Sequence, residues 1–236
     1  KRQAVLYKNY NNKENQINEI LWALNITGYE CKYSDPRFSK TYEYGIFREQ
    51  YMTLEEYKKK YFDSSRPYTV GLLESNMYVS NGQLQPYYAL IKSLEAKGCN
   101  VIPVVAAGGS ENQLKVMVKY FTNAPSYEAY LNNPLKYTNN VNAIISMPAY
   151  GIGGNLFDNT TKYFETAGVP VFRAVHSDYV SNEEWELSAT GLPGNRSDKW
   201  WHVAIGEAQG IIEATFVGGV THEISSKTGA QLSGFK

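Results

Sequence analysis

Two cysteines, three histidines and an even balance of charge exclude several common chemistries from this 236-residue chain. Cys31 and Cys99 are too few for a disulfide framework and have no metal-type spacing. Both follow Gly-containing turns and enter apolar segments, which suits small buried side chains; a single bridge between them stays open. His176, His202 and His222 have no second His or Cys at ligand spacing. Lys plus Arg equals Asp plus Glu, 23 against 23, so net charge points to neither nucleic acid nor an anionic membrane as partner. No apolar run approaches the roughly 20 residues that cross a bilayer. No signal peptide is visible. The chain starts at Lys1 without a Met and reads as an excised or processed piece, in which a removed leader would leave no trace. A Ser-His-Asp order, a GxSxG elbow and a phosphate loop ending in Lys-Ser/Thr are all missing, so the usual signatures of hydrolases and nucleotide hydrolysis are absent.

What is present is periodicity. Apolar residues make up 43% of the chain, enough for an ordinary core in one large α/β domain or two small ones. Residues 3–7 (QAVLY) read as a strand. Residues 11–25 read as a helix with Ile17, Ile20, Leu21 and Leu24 on one face, and 29–33 as a second strand. Together they form an N-terminal β-α-β unit over 1–44. A polar, aromatic connector spans 45–67, in which Thr53 caps a short helix with Glu56 as reciprocal partner. From 68 to 236 the pattern alternates regularly. Strands are expected at 70–73, 101–105, 143–146, 169–175 and 200–205, helices at 84–97, 111–121 and 156–166, and a short helix, EEWELS, capped by Asn182. The tail from 211 alternates and ends on an edge hairpin. The expected architecture is an α/β fold: a parallel open sheet flanked by helices, flavodoxin-like or Rossmann-like, with the additional N-terminal β-α-β unit.

Ligands of open parallel sheets bind beyond the carboxyl ends of the strands. Those ends carry Glu74, Ser75, Asn76 and Tyr78; Gly108, Gly109 and Ser110; Met147, Tyr150 and the turn GIGG (151–154); His176, Ser177, Asp178 and Tyr179; and Glu207. GIGG precedes a helix and can cradle a phosphate or act only as a turn. His176 can be a base, an axial metal ligand or a hydrogen-bonding loop residue. His202, in an apolar run with Trp200 and Trp201, reads as structural. A semi-buried Glu207 would be a carboxylate with raised pKa, able to accept protons near neutrality; alternatively it caps a turn or pairs with Lys199.

Five segments in order, RPYTVGLLES, ALIKSLEAKGCNVIPV, VNAIISMPAYGIGG, AGVPVFRAVHSDYVSNEEWELSATGL and VAIGEAQG, add a family signal. They resemble the large, tetrapyrrole-binding subunits of cobaltochelatase and magnesium chelatase over about residues 45–230. In that family the last motif reads VALPE, with Gly two residues later. Here Glu207 keeps the Glu and Gly206 replaces the Pro. GIFREQYMTLEEYKKKY is similar to the family's GIYHP-type segment, with Arg48-Glu49 in place of His-Pro. The family's Arg-Ser after the first strand is replaced by Asn76, Met77 and Tyr78, with no basic residue.

The resemblance implies an internal fragment of a cytoplasmic, ligase-type chelatase. Such a fragment contributes to corrin or porphyrin binding for insertion of Co²⁺ or Mg²⁺, with ATP on partner ATPase subunits. No cofactor or resident metal is implied in this segment, and the isolated piece is not expected to catalyse insertion. The ligand-binding candidates are Glu74, Asn76, Tyr78, Ser110, Tyr150, His176 and Glu207. The alternative is a non-catalytic binding module derived from that family, adhesin-like and at the cell surface. A flavodoxin-like domain holding flavin or nucleotide is a third reading.

Overall fold

Nearly continuous apolar runs in the central segments build a sheet that is covered on both faces. The computed structural model describes residues 2–9, 13–36, 44–149, 151–154, 157–192 and 199–221. In chain order these form α1 (Arg2–Asn9), α2 (Lys13–Ile26), β1 (Tyr44–Arg48), β2 (Gln50–Met52), α3 (Leu54–Tyr61), β3 (Tyr68–Ser75), α4 (Asn76–Asn81) and α5 (Gln85–Ala96). There follow β4 (Cys99–Ala106), α6 (Glu111–Phe121), α7 (Tyr127–Asn132), a 3₁₀ turn (Pro134–Lys136), β5 (Ala143–Ser146), α8 (Phe157–Ala167), β6 (Val171–Ser177) and α9 (Asn182–Glu186). A π-helical turn (Lys199–Ala204) runs into α10 (Ile205–Ala208), and β7 (Ile212–Gly219) comes last.

The seven-stranded sheet has the order β2-β1-β4-β3-β5-β6-β7. Strands β3 to β7 are parallel, while β1 pairs antiparallel with both β2 and β4. Strand β3 has β4 on one side and β5 on the other, so the chain reverses its direction of travel across the sheet there. Such a reversal opens a crevice at the carboxyl ends of the flanking strands. This arrangement is the expected parallel α/β sheet with flavodoxin-like order.

Side chains alternate across each strand. Leu72, Val101 and Val105 pack on Tyr87 and Ile91 of α5. Leu73, Ile102 and Val104 pack on Leu114, Met117 and Phe121 of α6. The β3–α6 contact is close: a Cβ at Gly71 would lie 2.8–2.9 Å from the Phe121 ring.

Five expectations are corrected. The N-terminal unit is not β-α-β. Residues 3–7 are helical, within α1, and Tyr7 and Trp22 bring α1 and α2 together with ring centroids 6.4 Å apart. Residues 29–33 stay outside any ladder. Asn25 donates to Cys31 O at 3.0 Å, and Asn18 Oδ1 accepts from the Ser34 N–H at 2.6 Å. Asn15 and Asn18 are buried, while Ile17, Ile20 and Leu24 face outward.

The connector is also more than a linker. Its segment GIF enters the sheet, with Ile46 in register with Val104, although the capping box of Thr53 and Glu56 forms as expected. Residues 200–205 are not a strand. The spacing of buried His202, Gly206 and Gln209 is helical and outweighs the apolar character of the run. The tail contributes one parallel edge strand, β7, whose pairing with β6 has two register shifts; residues 222–236 lie outside the described residues. Ser181, not Asn182, caps α9. Both cysteines are free and half-buried.

Gly71→Ala is expected to overpack the β3–α6 contact and cost about 1–3 kcal/mol. That is a fall in Tm of several degrees for a chain of this size, read by thermal unfolding. An unchanged Tm would mean that Phe121 does not press on β3.

Candidate functional site

The crevice beside β3 collects ionisable groups that the sheet register brings together. Glu74 lies at the carboxyl end of β3, one residue past the Leu73–Ser146 pair that joins β3 to β5. Arg173 of β6 is in register with Ser146, and His176 follows on the same strand. Glu74, Arg173, His176 and His202 are each 2% exposed.

Glu74 Oε2 is 3.2 Å from His176 Nε2, and Glu74 Oε1 accepts the Ser75 N–H at 2.6 Å. Arg173 Nη1 donates to Ser146 Oγ at 3.1 Å and to the Pro148 carbonyl. Its Nε and Nη2, and Nδ1 of His202, have no hydrogen-bond partner among the described residues. The rings of His202 and His176 are 6.2 Å apart. Tyr78 of α4 stands edge-on to His176 at 4.4 Å, and its hydroxyl lies 3.2 Å from both carboxylate oxygens of Asp178.

Proximity splits the two histidines. Burial, the strongest single influence on His176, disfavours its imidazolium, and Arg173 adds to that. The charge and hydrogen bond of Glu74, with help from Asp178, outweigh both, and the pKa is raised. His202 has no such carboxylate. Burial, then Arg173 and His176, push it down to about 3, so it is neutral at physiological pH. Burial lowers Arg173 to about 10 against the pull of Glu74, and it stays charged. The cluster thus holds a fixed cation, a proton-binding His–carboxylate pair and a neutral imidazole. It can bind an acidic group or take up a proton.

Among the expected site residues, Glu74, Tyr78 and His176 meet in this cluster. Asn76 starts α4 half-exposed, and its carbonyl accepts from Ser80 Oγ at 3.3 Å. Ser110 donates to Ala107 O at 2.6 Å, which holds it in the loop after β4. Tyr150 and His222 lie outside the described residues. Glu207 is exposed, so the burial argued for it is absent. Instead it lines a groove of about 430 Å³ with Lys199, Trp185 and Phe216.

The GIGG turn is a packing device. Gln209 accepts the Ile152 N–H at 2.9 Å and Gln113 the Gly153 N–H at 3.1 Å, which removes two donors a phosphate would need. Gly154, at φ 58°, abuts Gly109 so closely that a Cβ would fall 2.0 Å from its carbonyl oxygen. Among the described residues no three His, Cys, Asp or Glu side chains are placed to hold a metal ion.

Arg173, Ser146, Asp178 and His202 complete the site; Asp178 lies at a strand end named from the sequence, and the other three were not among the ligand-binding candidates. An Arg inside the apolar run VFRAVHS was the available signal, since a charge in a doubly covered strand must find partners.

A family model described as CobN/Magnesium Chelatase matches residues 5–233. The chain belongs to the CobN/magnesium chelatase family. An uncharacterised protein of Methanocaldococcus jannaschii is 28% identical over 184 residues, which cover 73% of this chain and 14% of that protein. The chloroplastic magnesium-chelatase subunit ChlH of Oryza sativa is 28% identical over 146 residues, 60% of this chain and 10% of the subunit. The catalytic subunit of cobaltochelatase from Mycobacterium tuberculosis shares the fold. Its TM-score is 0.59 at 14% identity, over 99% of this chain and 18% of that one. This chelatase-family chain therefore spans less than a fifth of each of these relatives.

The two histidines give opposite pH dependences. The raised His176 stabilises the fold below its ordinary value near 6.5, an effect lost as pH rises through its folded pKa. The depressed His202 favours the fold above about 6.5, and that contribution falls by about 1.4 kcal/mol per unit as pH drops towards 3. Urea unfolding between pH 8 and pH 4 is expected to show a His202→Gln variant losing stability on the acid side less steeply, by about one proton. Equal acid slopes would place a solvated imidazole at position 202.

Proposed function

We propose that this chain contributes to tetrapyrrole binding in a chelatase large subunit. It holds a corrin or porphyrin at the carboxyl-terminal rim of the sheet while Co²⁺ or Mg²⁺ is inserted. The observation that carries this reading is the family match over nearly the whole chain. The ionisable crevice at the turning point of the sheet supports it, because ligands of such folds bind there. ATP-hydrolysing partner subunits would supply the work of insertion, in the cytoplasm; no helix among the described residues is long and apolar enough to cross a membrane. Within this scheme the chain's own residues bind and orient the ring. Glu74 and His176 form the pair able to receive a proton displaced from a ring nitrogen, and Tyr78 shields them from water.

A second reading, a non-catalytic binding module descended from the same family, is favoured by one observation. The segment that carries a basic residue in the family is here helix α4, with Asn76, Met77 and Tyr78. This reading predicts no affinity for the ring.

Titration of the purified chain with protoporphyrin IX and with a corrinoid separates the two. The chelatase reading predicts a saturable absorbance shift with a micromolar Kd. No spectral change at high micromolar ligand would overturn it.

A further inference from the structure

One carboxylate that the sequence singles out stays outside the buried cluster. Glu207 is exposed and lines a groove of about 430 Å³ beside the last two strands. The sheet contributes Val175 of β6, in register with Phe216 of β7. The other sides come from α9, residues 190–192, and the π-helical turn with α10.

The lining divides into a flat apolar part and three polar groups. Trp185 and Phe216 stack with ring centroids 4.6 Å apart and planes within 6° of parallel. Phe216 covers one face of the indole, yet Trp185 is still 36% exposed, so its other face is open. Leu192 and Val203 continue the apolar surface. The polar groups are the Trp185 indole N–H, the Lys199 ammonium and the Glu207 carboxylate. None of the three has a hydrogen bond or an ion pair among the described residues, and Lys199 and Glu207 do not pair with each other. Gly191 stands beside the indole N–H, where a Cβ would lie 3.9 Å from Nε1, so no side chain from that position covers it.

Each property restricts the ligand. A groove of about 430 Å³ is at the small end of ligand pockets, which run from about 300 to 1,000 Å³, and suits one or two fused rings rather than a four-ring macrocycle. An open indole face prefers a flat aromatic partner, which it meets in an offset stack. An unpaired ammonium, with a free N–H in the same groove, selects an acid, because hydrogen bonds between charged partners are about twice as strong as neutral ones. The Glu207 carboxylate repels a second acid on the same molecule.

We propose that this groove binds a small planar aromatic molecule of one or two rings that carries a single acidic group. The ring lies on Trp185, the acid meets Lys199, and Glu207 excludes diacids. The site is separate from the crevice beside β3, and it stands or falls independently of tetrapyrrole binding there.

The test follows the Trp185 indole N–H signal by NMR, assigned by its loss in Trp185→Phe. Three probes are titrated: naphthalene-2-carboxylate, the neutral naphthalene-2-methanol and naphthalene-2,6-dicarboxylate. The monoacid is expected to shift the signal saturably and to bind about fivefold or more tighter than the alcohol. Lys199→Gln is expected to remove that preference while leaving the affinity for the alcohol in place. Glu207→Gln is expected to raise the affinity for the diacid towards that of the monoacid. Protoporphyrin IX is expected not to displace the monoacid. No shift with any probe overturns the site, as does equal binding of acid and alcohol, or an acid preference that survives Lys199→Gln. A diacid that binds as well as the monoacid in the unchanged chain overturns the role of Glu207. Displacement by protoporphyrin IX overturns the size limit and the separation from ring binding.

Discussion

A guanidinium held almost entirely out of water is the constraint on which the carboxyl-terminal rim depends. Arg173 stays charged in a place where an isolated charge is costly, so its neighbours are arranged around it. Ser146 and the Pro148 carbonyl accept from one nitrogen, Glu74 supplies counter-charge and in turn holds His176, and residue 206 is small. These partners come from β3, β5 and the loop after it, β6 and α10. Loss of Glu74 would leave two cation-capable groups facing each other in a dry crevice, a defect worth about 3–5 kcal/mol in comparable buried pairs. The stability of this rim therefore rests on a few side chains.

Much of the sheet was legible because its strands are short apolar runs set between helices with clear 3.6-residue stripes. Parallel strands from β3 to β6 and helices α5, α6 and α8 lie close to where periodicity put them. The misreadings have particular causes. QAVLY is short and apolar enough to fit either state, and its packing on Trp22 decided for helix. Residues 200–205 hid a helical spacing of buried positions inside an apolar run. Because that run is a π turn, Glu207 projects into solvent instead of ending a strand. The site was half legible: Glu74, Tyr78 and His176 followed from the rule about strand ends. Arg173 escaped because it sits inside a strand, and His202 because it reaches the cluster from a segment whose local geometry was misjudged.

Two of the three departures from the family pattern fall on this cluster, while the third, Arg48-Glu49, lies at the end of β1, where Arg48 pairs with Glu95. Where a basic residue is expected after the first strand, the chain has a short helix whose tyrosine covers the crevice. Where the last motif has Pro, Gly206 lies against the Arg173 fork, at a point where any side chain carbon would stand 3.2 Å from nitrogen.

The uneven pairing of β6 with β7 has a consequence for self-association. A terminal ribbon offers its outer amides and carbonyls to any extended peptide, and flat ribbons of this kind seed fibrils. Here Glu213 adopts a left-handed backbone at φ 50°, and the ladder slips twice, between Phe172 and Ala174 and between Val175 and His176. A ribbon kinked in this way, with a carboxylate at the kink, is a poor template for another chain to zip onto. Among the described residues, this irregularity works against end-to-end stacking of sheets at the β7 border.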